Sequence, residues 1–224
     1  SKKPFVGATM AISSHLTLLT GIAGINVYIV RILKLPFDIS LHFYFFFFVG
    51  VIITGILKMF FYSSVGAGFL GTLGSSALLY VSIHWIILGN TINIPLLYIQ
   101  GLLLGFGASM TLVSGSMATL LDGDLKEAAQ RSQTMHTIRN FSAAMLIPII
   151  AYTIKNHIQK GTQSIYAENI TDKMIYLKKL QDVAIDADHQ IFLLMIIFNM
   201  VMFVSSIIQM ILGKGRRITP PRES

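Results

Sequence analysis

Cysteine is absent from these 224 residues, and charge is scarce: Asp, Glu, Lys and Arg together make up 12%, against about 25% in a soluble globular domain. The first absence excludes a disulfide framework and any Cys-ligated metal. The second, joined to 54% hydrophobic residues and a mean hydropathy of +0.69, predicts an all-α membrane protein. A helix that crosses the hydrocarbon uses about 20 residues, so six crossings and their loops account for this length. No histidine pair stands at a metal-binding spacing such as HExxH, so neither a metal nor a cofactor is expected. The Gly and Ser of VSGSMA lack the strand-turn-helix setting of a serine hydrolase, and no enzyme is expected. Lys and Arg outnumber Asp and Glu by 17 to 10, a formal charge of +7. In a chain this apolar, that excess belongs to cytoplasmic loops rather than to nucleic-acid binding.

Apolar windows with at most one charge place the six spans at about 7–30, 41–62, 69–88, 95–121, 135–154 and 190–212. Lys58 falls near the end of the second, where it can snorkel. The Gly-rich SSVGAG at 63–68 is expected to be a turn, and Pro148 a kink in the fifth span. Between the last two spans, 155–188 carries five lysines and five acids and is expected to be a long external loop. Its stretch 172–185 has apolar residues at helical spacing and is expected to lie on the membrane surface or cap the bundle. The N-I-T sequon at Asn169 falls in the same loop. An even number of spans puts both termini on one side. That side collects Lys2, Lys3, Lys58, Lys126, Arg131 and the basic tail, whereas the opposite short loops offer Arg31 and Lys34. Both termini are therefore expected to be cytoplasmic.

What the spans lack most completely is acid: no Asp or Glu falls within any of the six windows. Polar residues are present instead. The first span holds Ser13, Ser14, His15, Thr17, Thr20 and Asn26, and His15 and Asn26 are three helical turns apart, on nearly one face. The fourth has glycines at 101, 105 and 107 and further small residues to 118. Small residues let helix backbones approach closely in lipid, so this span is expected to be a packing seam. Read functionally, it is a wall of a substrate path, with Gln100, Ser109, Thr111 and Ser114 offering hydrogen bonds.

The order of GLLLGFGASMTL, DGDLKEAAQRSQ and HTIRNFSAAMLIPIIA, then a long loop and DADHQIFLLMIIFNMVMFVSSIIQMIL, resembles the last spans of major facilitator superfamily transporters. It is most similar to their fourteen-helix drug:proton antiporter branch. LTLLTGIAGINVYIVRIL resembles the opening of the same C-terminal half. The second-to-third loop departs from the superfamily: GILKMFFYSSVGAGFLG keeps only the glycines and one Lys of its Gly-x-x-x-Asp-Arg-type signature.

The resemblance implies a six-helix bundle forming half of a transporter of the bacterial inner membrane. Its partners would be membrane lipid, an N-terminal six-helix half in the same polypeptide or a second chain, a small amphipathic substrate and the proton. His15, Asn26, Gln100, Ser109 and Ser114 are then expected along the transport pathway. Arg139 is expected either to reach Asp122, Asp124 or Glu127 as a cytoplasmic latch, or to lie among lipid phosphates. The missing intramembrane acid favours a second expectation, a non-transporting six-span scaffold whose 172–185 segment and basic tail bind partners.

Overall fold

The computed structural model describes residues 2–89, 91–122, 124–168 and 172–213, with Leu125 as backbone only. Asn169 and the basic tail lie outside them. Pro4 sits in the first turn of helix α1 (Lys3–Asn26), a position where its missing N–H costs nothing. A single π-helical turn (Val27–Ile32) extends α1. Pro36 precedes α2 (Phe37–Ile86). Asn93 caps α3 (Ile94–Leu121) by accepting from the Leu96 amide at 3.2 Å, with Pro95 in its first turn. A 3-10 turn (Leu125–Glu127) leads to α4 (Ala128–Ala167). Asp172 caps α5 (Lys173–Ile211) through the Met174 amide at 2.8 Å. No strand occurs among the described residues.

Among the described residues, five helices are long and apolar enough to cross a membrane, as in an integral membrane protein, where the sequence led us to expect six. The difference lies in α2, which joins the second and third expected spans. Its 50 residues would extend about 75 Å at 1.5 Å per residue, far beyond a hydrocarbon core of about 30 Å. The chain solves this at Gly66, with φ 82° and ψ 169°, a region essentially restricted to glycine. Only this residue of the expected SSVGAG turn leaves helical geometry.

The two arms of α2 run in opposite directions, as their contacts with α3 show. In the first arm, Phe43, Phe47, Thr54 and Lys58 meet α3 at 101, 105, 106 and 109, both numbers rising. In the second, Gly74 lies against Gly107, and Trp85 reaches back to Gln100. Gly66 is therefore the tip of a hairpin, and α3 packs against both of its arms.

The glycines of α3 form the expected seam. A Cβ on Gly105 would stand 1.9 Å from the Phe47 carbonyl oxygen, and one on Gly115 would meet the Gly7 carbonyl oxygen at 2.7 Å. The apolar centre contains Tyr28, Phe43, Leu78, Trp85, Leu104 and Phe192. At one end of the bundle, the Lys3 ammonium donates to the Gly213 carbonyl at 3.3 Å, so α1 begins beside the end of α5.

A second correction concerns 155–188, expected to be a long loop: of its described residues, 155–167 and 173–188 are helical. Helix α4 passes through Pro148 and continues to Ala167, and α5 begins at Lys173. Beyond Pro148, α4 contains no further proline and only Gly161, which sits against Val183 of α5. The stretch 172–185 is thus the first part of a long rod rather than a separate surface helix. Across the tip of this helical hairpin, Glu168 pairs with Lys179, and Tyr166 meets Tyr176 at 6.2 Å between ring centres.

Candidate functional site

The polar side chains of α1 and α3 meet between the two helices. Ser14 Oγ lies 2.6 Å from Thr111 Oγ1 and donates to the Ala108 carbonyl at 3.1 Å. Both residues are buried, which the neighbouring glycines of the seam make possible. Thr17 and Ser114 are buried beside them with hydroxyl oxygens that have no partner.

Lys58 approaches the same stretch of α3 from the first arm of α2. It is expected to snorkel toward an interface, but its ammonium turns inward and donates to the Ser109 carbonyl. An ammonium has three donors, so this contact leaves two. On α1, His15 follows Ser14 and is half-buried. The Arg139 guanidinium of α4 acts on it electrostatically, and Arg139 Nε is itself buried without an acceptor.

Next to this cluster, where α1 begins and α3 ends, lies an open cavity of about 1200 Å³ lined by Phe5, Thr9, Ser13, Asp122, Glu127 and Arg131 among others. Arg131 organises its rim. Its Nε donates to the Thr119 carbonyl at 3.0 Å and its Nη2 to the Leu120 carbonyl at 3.1 Å, and Nη1 stands 3.5 Å from Glu127. A guanidinium placed on the last carbonyls of a helix satisfies acceptors the helix cannot and opposes its dipole.

The acids expected to latch Arg139 are engaged elsewhere. Glu127 pairs with Arg131, Asp122 accepts from Gln209 Nε2 at 2.9 Å, and Asp124 Oδ1 accepts from the Lys126 amide at 3.1 Å. Arg139 pairs with none of the three in this structure. The reason is position: Arg139 lies two helical turns beyond Arg131 on α4, level with His15 rather than with the end of α3.

The five residues expected along a pathway do not converge. Gln100 is buried in the core, where its Oε1 accepts from Trp85 Nε1 at 2.8 Å. Asn26 stands beside the Tyr44 side chain. Both sit at the end of the bundle away from the cavity. His15, Ser109 and Ser114 lie nearer its middle, and none of the five is part of the cavity wall.

Two buried polar groups on α5 escaped sequence reasoning. Asn199 donates to the Leu78 carbonyl at 3.1 Å and to Ser82 Oγ at 3.0 Å. Asp188 is 2% exposed, and neither carboxylate oxygen has a hydrogen-bond partner. The signal was present: Ile185, Asp188, Phe192, Met195, Asn199 and Met202 recur at three- and four-residue steps, and all are buried. The expected boundary at 190 hid it, because the charge-rich stretch before that boundary looked like a loop. Among the described residues, no three His, Cys, Asp or Glu side chains come together as a metal-ligand set. No family model matches this sequence, and comparison with curated proteins gives no match.

Proposed function

We propose that this chain is the six-crossing half of a secondary transporter, in which each arm of α2 makes one crossing and both termini face the cytoplasm. Paired with a second six-helix half, it exports small amphipathic organic compounds against protons by alternating access across a midplane site. The observation that carries this reading is the uneven covering of the bundle. In its most apolar window, 6% of the α4 residues are buried, whereas 50% of the residues are buried in the windows of α1 and α3. Arg139, whose guanidinium acts on His15 and whose Nε is buried without an acceptor, stands on this thinly covered helix, as a wall shared with another bundle requires. Ionisable groups at membrane depth are costly, and they characteristically mark substrate or ion paths.

The test is reconstitution of the full polypeptide in sealed vesicles and measurement of substrate flux under an imposed pH gradient. Gradient-dependent flux supports the proposal, and a protein that inserts correctly but shows none sinks it. The scaffold reading has its own support in the hairpin of α4 and α5, where Met174 is 76%, Ile175 49% and Leu177 51% exposed. Under that reading, Met174→Ser with Leu177→Ser dissolves a membrane assembly and has no transport to affect.

A further inference from the structure

We infer that Asp188 is a proton-binding site that locks the end of the bundle opposite the termini: its carboxyl holds a proton while that end is closed, and losing it favours opening. The site follows from the packing around α5; only its part in proton coupling rests on the transporter reading.

Two registers enclose this residue. Helices α1 and α5 run antiparallel, since a Cβ on Gly21 would meet Met195 and one on Gly24 would meet Phe192. One turn further along both, Tyr28 comes level with Asp188. The second arm of α2 follows another side of α5. Leu78 and Ser82 meet Asn199, the Trp85 and Phe192 rings lie 5.4 Å apart between centres, and the Leu88 carbonyl lies 2.8 Å from His189 Nε2. Asp188 therefore stands where the end of that arm, the π-helical turn and α5 meet. Two side chains fasten the same place: the Tyr28 hydroxyl donates to the Gly89 carbonyl, and His189 Nε2 donates to the Leu88 carbonyl.

Inside this junction Asp188 is 2% exposed, and neither carboxyl oxygen has a hydrogen-bond partner. No ion pair reaches it among the described residues. The titratable groups on the surrounding elements are placed otherwise. Tyr28 and His189 hold the two carbonyls, and His84 of α2 carries a buried Nδ1 with no partner. Arg31 of the π-helical turn and Asp186 of α5 are exposed. Gly161 of α4 sits against Val183, which brings the half-buried His157 and the exposed Lys155 to the level of 187–189. On the first arm of α2 and on α3, Tyr44 stands beside Asn26 and Tyr98 stacks on Phe46. A carboxylate with neither donor nor cation in an apolar interior is so unfavourable that the group takes up a proton instead.

Loss of that proton leaves a buried charge, for which this junction offers the Tyr28 hydroxyl and the His189 N–H as donors. Either can serve it only by leaving its carbonyl, and the abandoned carbonyl then needs water. That exchange, like direct hydration of the carboxylate, requires the junction to open. Proton binding and closure are thereby linked, each favouring the other by the same factor. The sign follows from proton counts. The closed protein holds a proton that a solvated Asp has released at neutral pH, so stability falls as pH rises, by up to about tenfold in the folding equilibrium constant per pH unit.

The test uses the full polypeptide in nanodiscs, wild type against Asp188→Asn. Infrared difference spectra taken as pH is raised should show, in the wild type, a protonated-carboxyl C=O band giving way to carboxylate, and the variant should lack it. Over the same range the folding equilibrium constant of the wild type should fall by up to about tenfold per pH unit relative to the variant. Amide hydrogen exchange is compared at equal pH, where its intrinsic chemistry cancels. Residues 84–89 should open in the alkaline wild type and stay protected in Asp188→Asn.

No wild-type band beyond those of the variant overturns the proton site, and identical exchange of 84–89 in the two proteins at every pH overturns the lock. If Asp188→Asn fails to fold, isotopic labelling of aspartate, which shifts the wild-type band, assigns it without a variant. Sealed vesicles separate this inference from the transporter reading. Band and lock without gradient-driven flux leave the site standing and remove that reading, whereas flux with neither band nor lock does the reverse. Flux undiminished in Asp188→Asn removes Asp188 from coupling.

Discussion

Helices α3 and α4 have similar credentials as membrane crossings, yet the fold treats them in opposite ways. Each contains an apolar window long enough to cross the hydrocarbon core, uncharged throughout in α3 and interrupted by Arg139 in α4. In α3, glycine and other small residues meet the backbones of α1 and both arms of α2. In α4, Ile138, Phe141, Met145, Ile147 and Tyr152 stand exposed, and only Met135, Leu146 and Ile165 are buried. Lipid tails are as apolar as leucine, so hydrophobicity drives neither helix inward. What separates them is shape: small residues allow close backbone contact and its summed dispersion, whereas bulky side chains hold neighbours away.

The sharpest way to break this contrast is to put bulk into the seam. Gly105→Leu should prevent native packing, with a loss of about 3 kcal/mol or more, because even a Cβ there stands 1.9 Å from the Phe47 carbonyl oxygen. The check is the thermal unfolding midpoint in nanodiscs, together with the yield of monodisperse protein. The next effect concerns the hinge that lets α3 pack against both arms of α2. Gly66→Ala should cost about 2 kcal/mol, since φ 82° and ψ 169° strain any side chain. A double-cysteine crosslink between the arms should form more slowly in this variant, and an unchanged rate would contradict the hairpin.

A smaller change is expected at Asn199, where Asn199→Leu removes hydrogen bonds to Leu78 and Ser82. In membrane proteins such bonds contribute about 0.6 kcal/mol on average and at most about 2, so a loss of about 1 kcal/mol is predicted. The smallest effect belongs to α4: Phe141→Ala should alter stability by less than about 0.5 kcal/mol, because the ring is 67% exposed. Under the two-half reading it should nevertheless weaken association with the second bundle. A large stability loss at Phe141 would mean that α4 is far better covered than its exposed ring indicates.

Much of the architecture was legible because crossing a membrane imposes a length and a composition on each segment. The windows at 7–30 and 95–121 correspond closely to α1 and α3. The hairpin of α2 was legible as two spans, but not its connection, since only Gly66 leaves the helix and nothing local distinguishes it from Gly68. The reach of α4 and α5 beyond the membrane-length windows is not legible in Lys155 to Asp188, because a polar stretch gives no hydropathy signal that its helical spacing at 172–185 continues the last span. Polar helices are ordinary when two of them pack, as Gly161 and Val183 do.

The site was less legible. Arg139 was recognised as an unusual cation, but sequence order paired it with the nearest acids along the chain. In the folded protein those acids belong to Arg131, Gln209 and their own turn. Lys58 was assigned to an interface because a flexible side chain near a span end can reach one, yet the first arm of α2 packs in parallel with α3 and brings it to Ser109.

Composition, hydropathy and the spacing of small residues were enough to establish a helical membrane protein without cysteine chemistry and with a tight glycine seam, because each follows from local length, polarity and volume. Which helix is left uncovered, which cation meets which carbonyl, and that Asp188 is buried at all depend on how helices distant in sequence are placed side by side. Those contacts arise between α1, α2, α3, α4 and α5, and no window along a single helix contains them.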